Sequence, residues 1–386
     1  MQSSTALPVP AARASGGVFI ASRAPGRAVT AAGQSRRGLL TAGVRGTALL
    51  VTAVTLLLAA GCSAGGSAAN THGVEKPDLT VAVVPAVDSA GFFIALEEGL
   101  FKAQGLNVKF VPAISSATVI DQQAEGKIDI TAGNYVSYIE AQSNWDAGMQ
   151  PSPSHPDVLA ANLDIFAQGS VLQPGVIGLY TMPDSPITTL AQLKGRIIGN
   201  NAPKNLTYML AASVLDDHGI SARDVHFVVA KGGFPKMPAE LKADDFNAVV
   251  LNEPFGSIAA LSDGAVTLAD FDQGATTNFP VEGYVVTKQW AQKYPRTLAA
   301  FYKALEEGQQ IADTSRAPVE AAFEKLPGPL GLPKETAALI SLDSYPVSTG
   351  PVGSVDTAQL KRVVDIMQRF LGFNRAFNID SMLMGG

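Results

Sequence analysis

The chain has 386 residues, 47% of them hydrophobic and 16% charged, with a formal net charge of −6; that is long for one compact core, and it excludes a disordered or collagen-like chain. Residues 1–61 hold six of the 28 basic residues and no acid or lysine, so against 34 acidic residues the remainder carries a net −12. An acidic globule with no Lys/Arg run repels nucleic acid and anionic lipid, which argues against a nucleic-acid partner.

Residues 46–61 read GTALLVTAVTLLLAAG, sixteen uncharged residues behind a basic stretch. A membrane-spanning helix needs about 20 apolar residues; this shorter run with a small-residue end reads as a signal peptide over 1–61. Leu58-Ala59-Ala60-Gly61-Cys62 follows and resembles a bacterial lipobox, with Ala59 where Leu is usual. The resemblance implies cleavage after Gly61 and lipidation of Cys62, the single cysteine, with 62–77 as a flexible tether rich in Gly and Ser. Ser35-Arg36-Arg37-Gly38-Leu39-Leu40 resembles a twin-arginine export signal. Gly61-Cys62-Ser63-Ala64-Gly65 fits G-x-S-x-G, but a nucleophile elbow needs a strand before it and a helix after it, and neither is expected here.

From Leu79 strand and helix patterns alternate. Leu79-Thr80-Val81-Ala82-Val83-Val84 reads as a buried strand, and Phe92, Ala95, Leu96, Gly99 and Leu100 recur at helical spacing. Strands are expected at 108–111 and 128–131, with Ser115-Ser116 opening a helix between them. This βαβαβ series implies a parallel-dominated sheet flanked by helices. Residues 144–157 read as a loop, and strands follow at 164–167 and 176–180. A second series places strands at 196–199, 225–230 and 248–251, with one helix face from Leu206, Met209, Leu210, Ser213 and Val214. From Trp290 the chain turns helical: Leu298, Phe301, Tyr302 and Leu305 form one stripe, and Leu360, Val363, Val364, Met367 and Leu371 another. Asp356 with Gln359 three residues on has the spacing of a capping box.

Four segments in order carry a family likeness: Phe92-Phe93-Ile94-Ala95-Leu96-Glu97-Glu98-Gly99-Leu100-Phe101 with Gly105-Leu106-Asn107-Val108; Ala124-Glu125-Gly126-Lys127-Ile128-Asp129; Leu190-Ala191-Gln192-Leu193-Lys194-Gly195-Arg196-Ile197-Ile198-Gly199; and Asn247-Ala248 with Glu253-Pro254. Gln192 and Asn247 stand where the pattern usually has Asp. Over about residues 79–373 the chain thereby resembles the type II solute-binding proteins of ABC importers, in the nitrate, sulfonate, taurine and thiamine-precursor branch. The resemblance implies an α/β fold of two lobes with a two-strand hinge. The first lobe would be 78–176 plus a helical return over 285–386, the second 177–284. It further implies a small-molecule solute in the cleft, an ABC permease and its ATPase subunit as partners, and a lipid anchor at Cys62 on the outer face of the cytoplasmic membrane. A monomer is expected, and no cofactor.

Ligands in such folds lie at the carboxyl ends of strands, where loops and helix N-termini converge. The expected ligand-binding residues are Asp88, Ser89, Ser115, Ser116, Thr118, Asn134, Tyr135, Asn201, Lys204, Asn205 and Glu253. Each has a plainer reading. Ser115, Ser116 and Asn205 suit helix caps, Asp88 suits an exposed loop, Tyr135 suits either core or cleft, and Glu253 suits the hinge or partner docking. Phe92 and Phe255 read as core. His72, His155, His218 and His226 show no metal spacing, and no phosphate-binding G-x-x-x-x-G-K-[ST] loop occurs. No enzyme activity is expected. The alternatives are a pyrimidine-synthase-like enzyme on the same scaffold, and a ligand sensor or adhesin without a transport role. No arginine lies in the expected cleft loops, so a solute with an amino or ring N–H end and an acceptor end, taurine-like or aminopyrimidine-like, fits better than bare nitrate.

Overall fold

The apolar run after the tether becomes strand β1, Asp78–Val83, whose last three residues are fully buried. The computed structural model describes residues 73–151, 158–326 and 355–384. The signal segment, Cys62, most of the tether, His72 and His155 lie outside the described residues.

From β1 the chain runs through α1 (Ala90–Glu97) and α2 (Leu100–Ala103) to β2 (Asn107–Pro112), then through α3 (Ala117–Ala124) to β3 (Ile130–Asn134) and α4 (Tyr135–Asp146). β1 pairs in parallel with both β2 and β3, as βαβ crossovers require. Gly99, at φ 72°, supplies the left-handed residue that separates α1 from α2. Behind the sheet lies a core of rings: Phe92 is 5.5 Å from Phe93 and from Phe101, and Phe101 stacks on Phe301 at 4.7 Å. β4 (Leu163–Val171) is one edge of a sheet ordered β2-β1-β3-β10-β4, in which β10 (Pro280–Thr287) arrives from far along the chain.

After β4 the chain crosses to a second sheet. It contains β5 (Ile177–Thr181), β6 (Ile197–Asn200), β7 (His226–Val229), β8 (Ala248–Asn252) and β9 (Val266–Asp270), in the order β7-β6-β8-β5-β9. Helices α5 (Leu206–Asp217), α6 (Met237–Lys242) and α7 (Phe255–Asp263) connect its strands. β6 pairs in parallel with β7 and β8, whereas β5 runs antiparallel to β8 and β9. The return crossing lies beside the outward one: Phe271 N donates to Ile177 O at 3.0 Å, and Leu172 N to Phe279 O at 2.7 Å. Two α/β lobes joined by paired crossings match the expected class, and such crossings can act as a hinge.

The second crossing ends by Pro280, ahead of the boundary at 285 read from sequence, because β10 pairs antiparallel with β3 and β4 from Pro280 onward. Glu282 and Gly283 interrupt its apolar run, so only the long-range partners Asn134 and Gly133 reveal the strand. The same pairing extends β3 to Asn134, beyond the 131 expected. The chain then forms α8 (Lys288–Lys293), α9 (Pro295–Thr314), α10 (Arg316–Glu324) and, after the undescribed stretch, α11 (Thr357–Leu371). Leu298, Phe301 and Leu305 of α9 are buried, as are Leu360, Val363, Val364 and Met367 of α11. Asp356 caps α11, accepting from Ala358 N at 2.9 Å and Gln359 N at 3.3 Å. Gln359 does not complete a capping box; its Oε1 accepts from Arg362 at 3.3 Å.

Candidate functional site

The ends of strands from both sheets enclose a cavity of about 40 Å³. At about 10–15 Å³ per water on this measure, it holds about three waters. The first lobe contributes Asp88, Ser115, Ser116, Asn134 and Glu282 to its wall; the second contributes Asn201, Asn205, Thr207, Phe234 and Asn252.

In the first lobe, a short turn over Val87–Ser89 follows β1 and carries Asp88 into the wall at 4% exposure. Ser89 is not itself in the wall; its Oγ donates to the two Glu282 carboxyl oxygens, at 2.8 and 2.7 Å. Ser116 precedes α3 without capping it. Instead its Oγ accepts from Asn134 N at 2.9 Å and Asn134 Nδ2 at 3.0 Å. With two N–H groups donating to it, this hydroxyl keeps its own proton for another acceptor. Asn134 Oδ1 meanwhile caps α4 by accepting from Ser137 N at 2.9 Å. Gly133 makes this approach possible, since a Cβ there would lie 2.0 Å from Ser116 Oγ.

In the second lobe, Asn205 is both cap and wall. Its Oδ1 accepts from Tyr208 N at 3.3 Å, opening α5, and its Nδ2 donates to Asn201 Oδ1 at 2.9 Å. Thr207 Oγ1 lies 2.8 Å from the Oδ1 atoms of both Asn201 and Asn205. Phe234 stacks on Phe255 with ring centroids 5.9 Å apart. Two hydrogen bonds cross between lobes here: Asn252 Nδ2 donates to the Asp88 carboxyl, and Val87 N donates to Glu253 O at 2.9 Å.

Besides Ser89, four expected residues lie away from this wall. Thr118 is exposed and donates to Ser115 O at 2.6 Å. Tyr135 is buried behind the cavity against Gly283, whose Cβ would come within 2.5 Å of the ring. The Glu253 carboxyl turns into the second lobe and accepts from Ser257 N at 3.1 and 3.3 Å at the start of α7. Lys204 is exposed and borders a separate cavity of about 270 Å³ with Glu140, Asn144 and Arg375. Sequence reasoning missed Glu282, Thr207 and Phe234 as wall residues; Asn252 belongs to the stretch Asn252-Glu253-Pro254, which the sequence places after a strand at the cleft. The one local signal for Glu282 is an acid inside the apolar run Val281-Glu282-Gly283-Tyr284-Val285.

Among the described residues, the wall contains two acids and no Lys, Arg or His. Burial holds Asp88 above the usual carboxylate range, against the lowering effect of its bonds from Asn252 and Ser170. Glu282 is raised first by burial and then by the charge of Asp88, with the Ser89 bond opposing. Glu253, outside the wall, is raised to about 7 by burial, with its bonds from Ser257 opposing. Asn252 Oδ1 is buried and accepts no hydrogen bond from any described residue.

Two α/β lobes, paired crossings and a polar cavity at the strand ends between them define the class of periplasmic solute-binding folds. The chain belongs to the NMT1-like family, which residues 72–324 match. It is 28% identical over 244 residues to the bicarbonate transport ATP-binding protein CmpC of Synechocystis sp., a match covering 61% of this chain. The chain spans only 35% of that relative's length. Among solved structures it is similar to the alkanesulfonate-binding protein SsuA from Xanthomonas axonopodis pv. citri bound to MOPS, with a TM-score of 0.64 and 17% identity over 80% of this chain and 98% of that one. It is also similar to the periplasmic nitrate-binding protein NrtA from Synechocystis PCC 6803, with a TM-score of 0.57 and 17% identity over 68% and 69% of the two chains. These likenesses bear out the two-lobed α/β class and the resemblance read from the four sequence segments.

Proposed function

We propose that the chain is the solute-capturing component of an ABC importer. One small organic molecule enters the cleft, the lobes close on it, and a membrane permease with its ATPase receives it unchanged. The observation that carries this reading is a buried polar cavity built by both lobes beside paired crossings, the arrangement that hinge closure around a ligand needs. Among the described residues the wall holds no His, Lys or Cys, so none of them forms a Ser–His or Cys–His couple there. Anchoring through a lipidated Cys62 would hold the protein at the outer face of the cytoplasmic membrane. Among the described residues, no helix is long and apolar enough to cross a membrane.

The wall also bears on ligand chemistry. Acceptors gather on one side, in Asp88, Glu282 and the unpaired Asn252 Oδ1; amides and hydroxyls of Ser116, Asn201 and Asn205 supply the rest. A solute with an N–H end and an acceptor end fits this division, as in taurine-like zwitterions or aminopyrimidines. The names of the bicarbonate and nitrate relatives offer a second reading, a small anion, and the small cavity favours it. That reading requires both wall carboxyls to be protonated. A thermal-shift screen with taurine, 4-aminopyrimidine, nitrate and bicarbonate tests the two. A ligand at 100 times its Kd adds about 2.7 kcal/mol of stability, and stabilisation by the anions alone would reject the N–H-bearing solute.

A further inference from the structure

The cavity has an unresolved charge problem. Asp88 and Glu282 are 4% and 3% exposed and border the same small space. Their partners are neutral donors: Asn252 Nδ2 and, at 3.5 Å, Ser170 Oγ for Asp88, and Ser89 Oγ for both oxygens of Glu282. The titratable groups that face Glu282 are Asp88 from the β1–α1 turn, Tyr135 and Tyr138 from α4, and Tyr284 from its own strand. None of these is a base. Two ionised carboxylates in one buried wall repel each other, and buried charge without a counter-charge is among the costliest arrangements in a protein. Such a pair keeps a proton when its site is empty, or takes a cation when it is filled. Beside it, Asn252 Oδ1 is a buried acceptor that no described residue satisfies.

We propose that Asp88 and Glu282 form an exchangeable cation site, in which the empty cleft holds a proton between them and the captured solute displaces it with a cationic amine or amidine group. This rests on the solute-capture reading and goes beyond it, fixing the charge of the ligand and tying capture to pH. The exchange balances: one carboxyl O–H bond breaks, its proton passes to bulk water, and the solute's cationic N–H group donates to the carboxylates in its place. The net charge of the cavity is unchanged and nothing is oxidised. Because one proton leaves for each solute bound, affinity is weakest in acid. It rises up to tenfold per pH unit through the titration range of the pair and levels off once the empty site has lost its proton.

Acetamidinium chloride is a suitable probe. It is a small planar cation with four non-hydrogen atoms and two N–H arms, and acetate has the same skeleton with the opposite charge. Binding of each to the full chain is measured by thermal shift and calorimetry from pH 5 to 8.5, with sodium chloride at equal ionic strength as the blank. The proposal expects acetamidinium to bind and acetate not to, with affinity rising by up to tenfold per unit from pH 5. Calorimetry in two buffers of different ionisation heat should show about one proton released. Glu282→Gln and Asp88→Asn should each weaken acetamidinium at least tenfold at pH 8, and the double variant should abolish binding. Stability of the double variant at pH 8 without the probe, equal to or above that of the parent, certifies that it is folded. Acetamidinium binding that ignores pH, that survives in the double variant, or that is no better than sodium chloride overturns the cation site. Acetate binding in place of acetamidinium also overturns it while leaving solute capture standing.

Discussion

Replacing Glu253 by glutamine should stabilise the protein at alkaline pH and do nothing for it in acid. Glu253 is 2% exposed, no cation among the described residues neutralises its carboxyl, and it accepts from Ser257 through both the backbone N–H and the side-chain hydroxyl. Its titration is raised from 4.5 to about 7 by burial. At about 1.4 kcal/mol for each pH unit of difference, ionising it in the folded chain costs about 3 kcal/mol. The sign follows from proton linkage. The folded value lies above the unfolded one, so its contribution to stability is intact below pH 4.5 and is lost as pH rises through 7. Glutamine keeps an acceptor for Ser257 N and cannot ionise, so Glu253→Gln should gain up to about 3 kcal/mol over the parent at pH 8.5 and nothing at pH 4.5. Urea unfolding at both pH values, followed by tryptophan fluorescence and circular dichroism to check for a single transition, measures the difference. A variant no more stable than the parent at pH 8.5, or a gain of equal size at both pH values, would refute the reasoning. Solute affinity should be unaffected, since this carboxyl is not part of the cavity wall.

Other substitutions test other parts of the account. Gly133→Ala would drive Ser116 Oγ from its place, because the new Cβ would lie 2.0 Å from it; equilibrium unfolding should show a loss of about 1–3 kcal/mol, together with weaker solute binding. Asp129→Ala removes the carboxylate that accepts from Trp290 Nε1 at 2.8 Å and Thr80 N at 2.9 Å and pairs with the partly exposed Lys76, so urea unfolding should show a loss of about 1–3 kcal/mol for each N–H donor left unpaired. Cys62→Ser should move the protein from the membrane fraction to the medium, because two acyl chains hold a protein stably where none holds it at all; identical fractionation of parent and variant would remove the lipid anchor from the account.

The elements legible in the sequence are those whose pattern is local. The βαβ strands from β1 to β3 and from β6 to β8, and the stripes of α9 and α11, follow from apolar spacing alone. Strand β10 was not legible, since a glutamate and a glycine break its run and its burial depends on β3 and β4 on either side. Glu282 was lost from the expected site for that reason. The departures from the family pattern have local explanations. Gln192, standing for Asp, accepts from Thr188 N at 2.8 Å and Thr189 N at 2.9 Å. Asn247, also standing for Asp, accepts from Ile197 N at 2.9 Å. Side chains at strand ends were harder to assign than the loops that carry them. Asn205 is cap and wall together, whereas Glu253 and Asn252 are neighbours that turn to opposite tasks. Lys204, at φ 43°, leaves the loop on the far side from the cavity that its sequence neighbours line.

Retention of an intact solute tests the central claim most directly. The full chain and its Glu282→Gln/Asn205→Ala variant would be equilibrated with an extract of small metabolites, separated from free solute by rapid gel filtration, denatured, and analysed by mass spectrometry for what is released. The account predicts one compound at close to one molecule per chain, chemically identical to that in the extract, carried by the parent and not by the variant. Release of a chemically altered compound, or no enrichment of any compound on the parent over the variant, would contradict it.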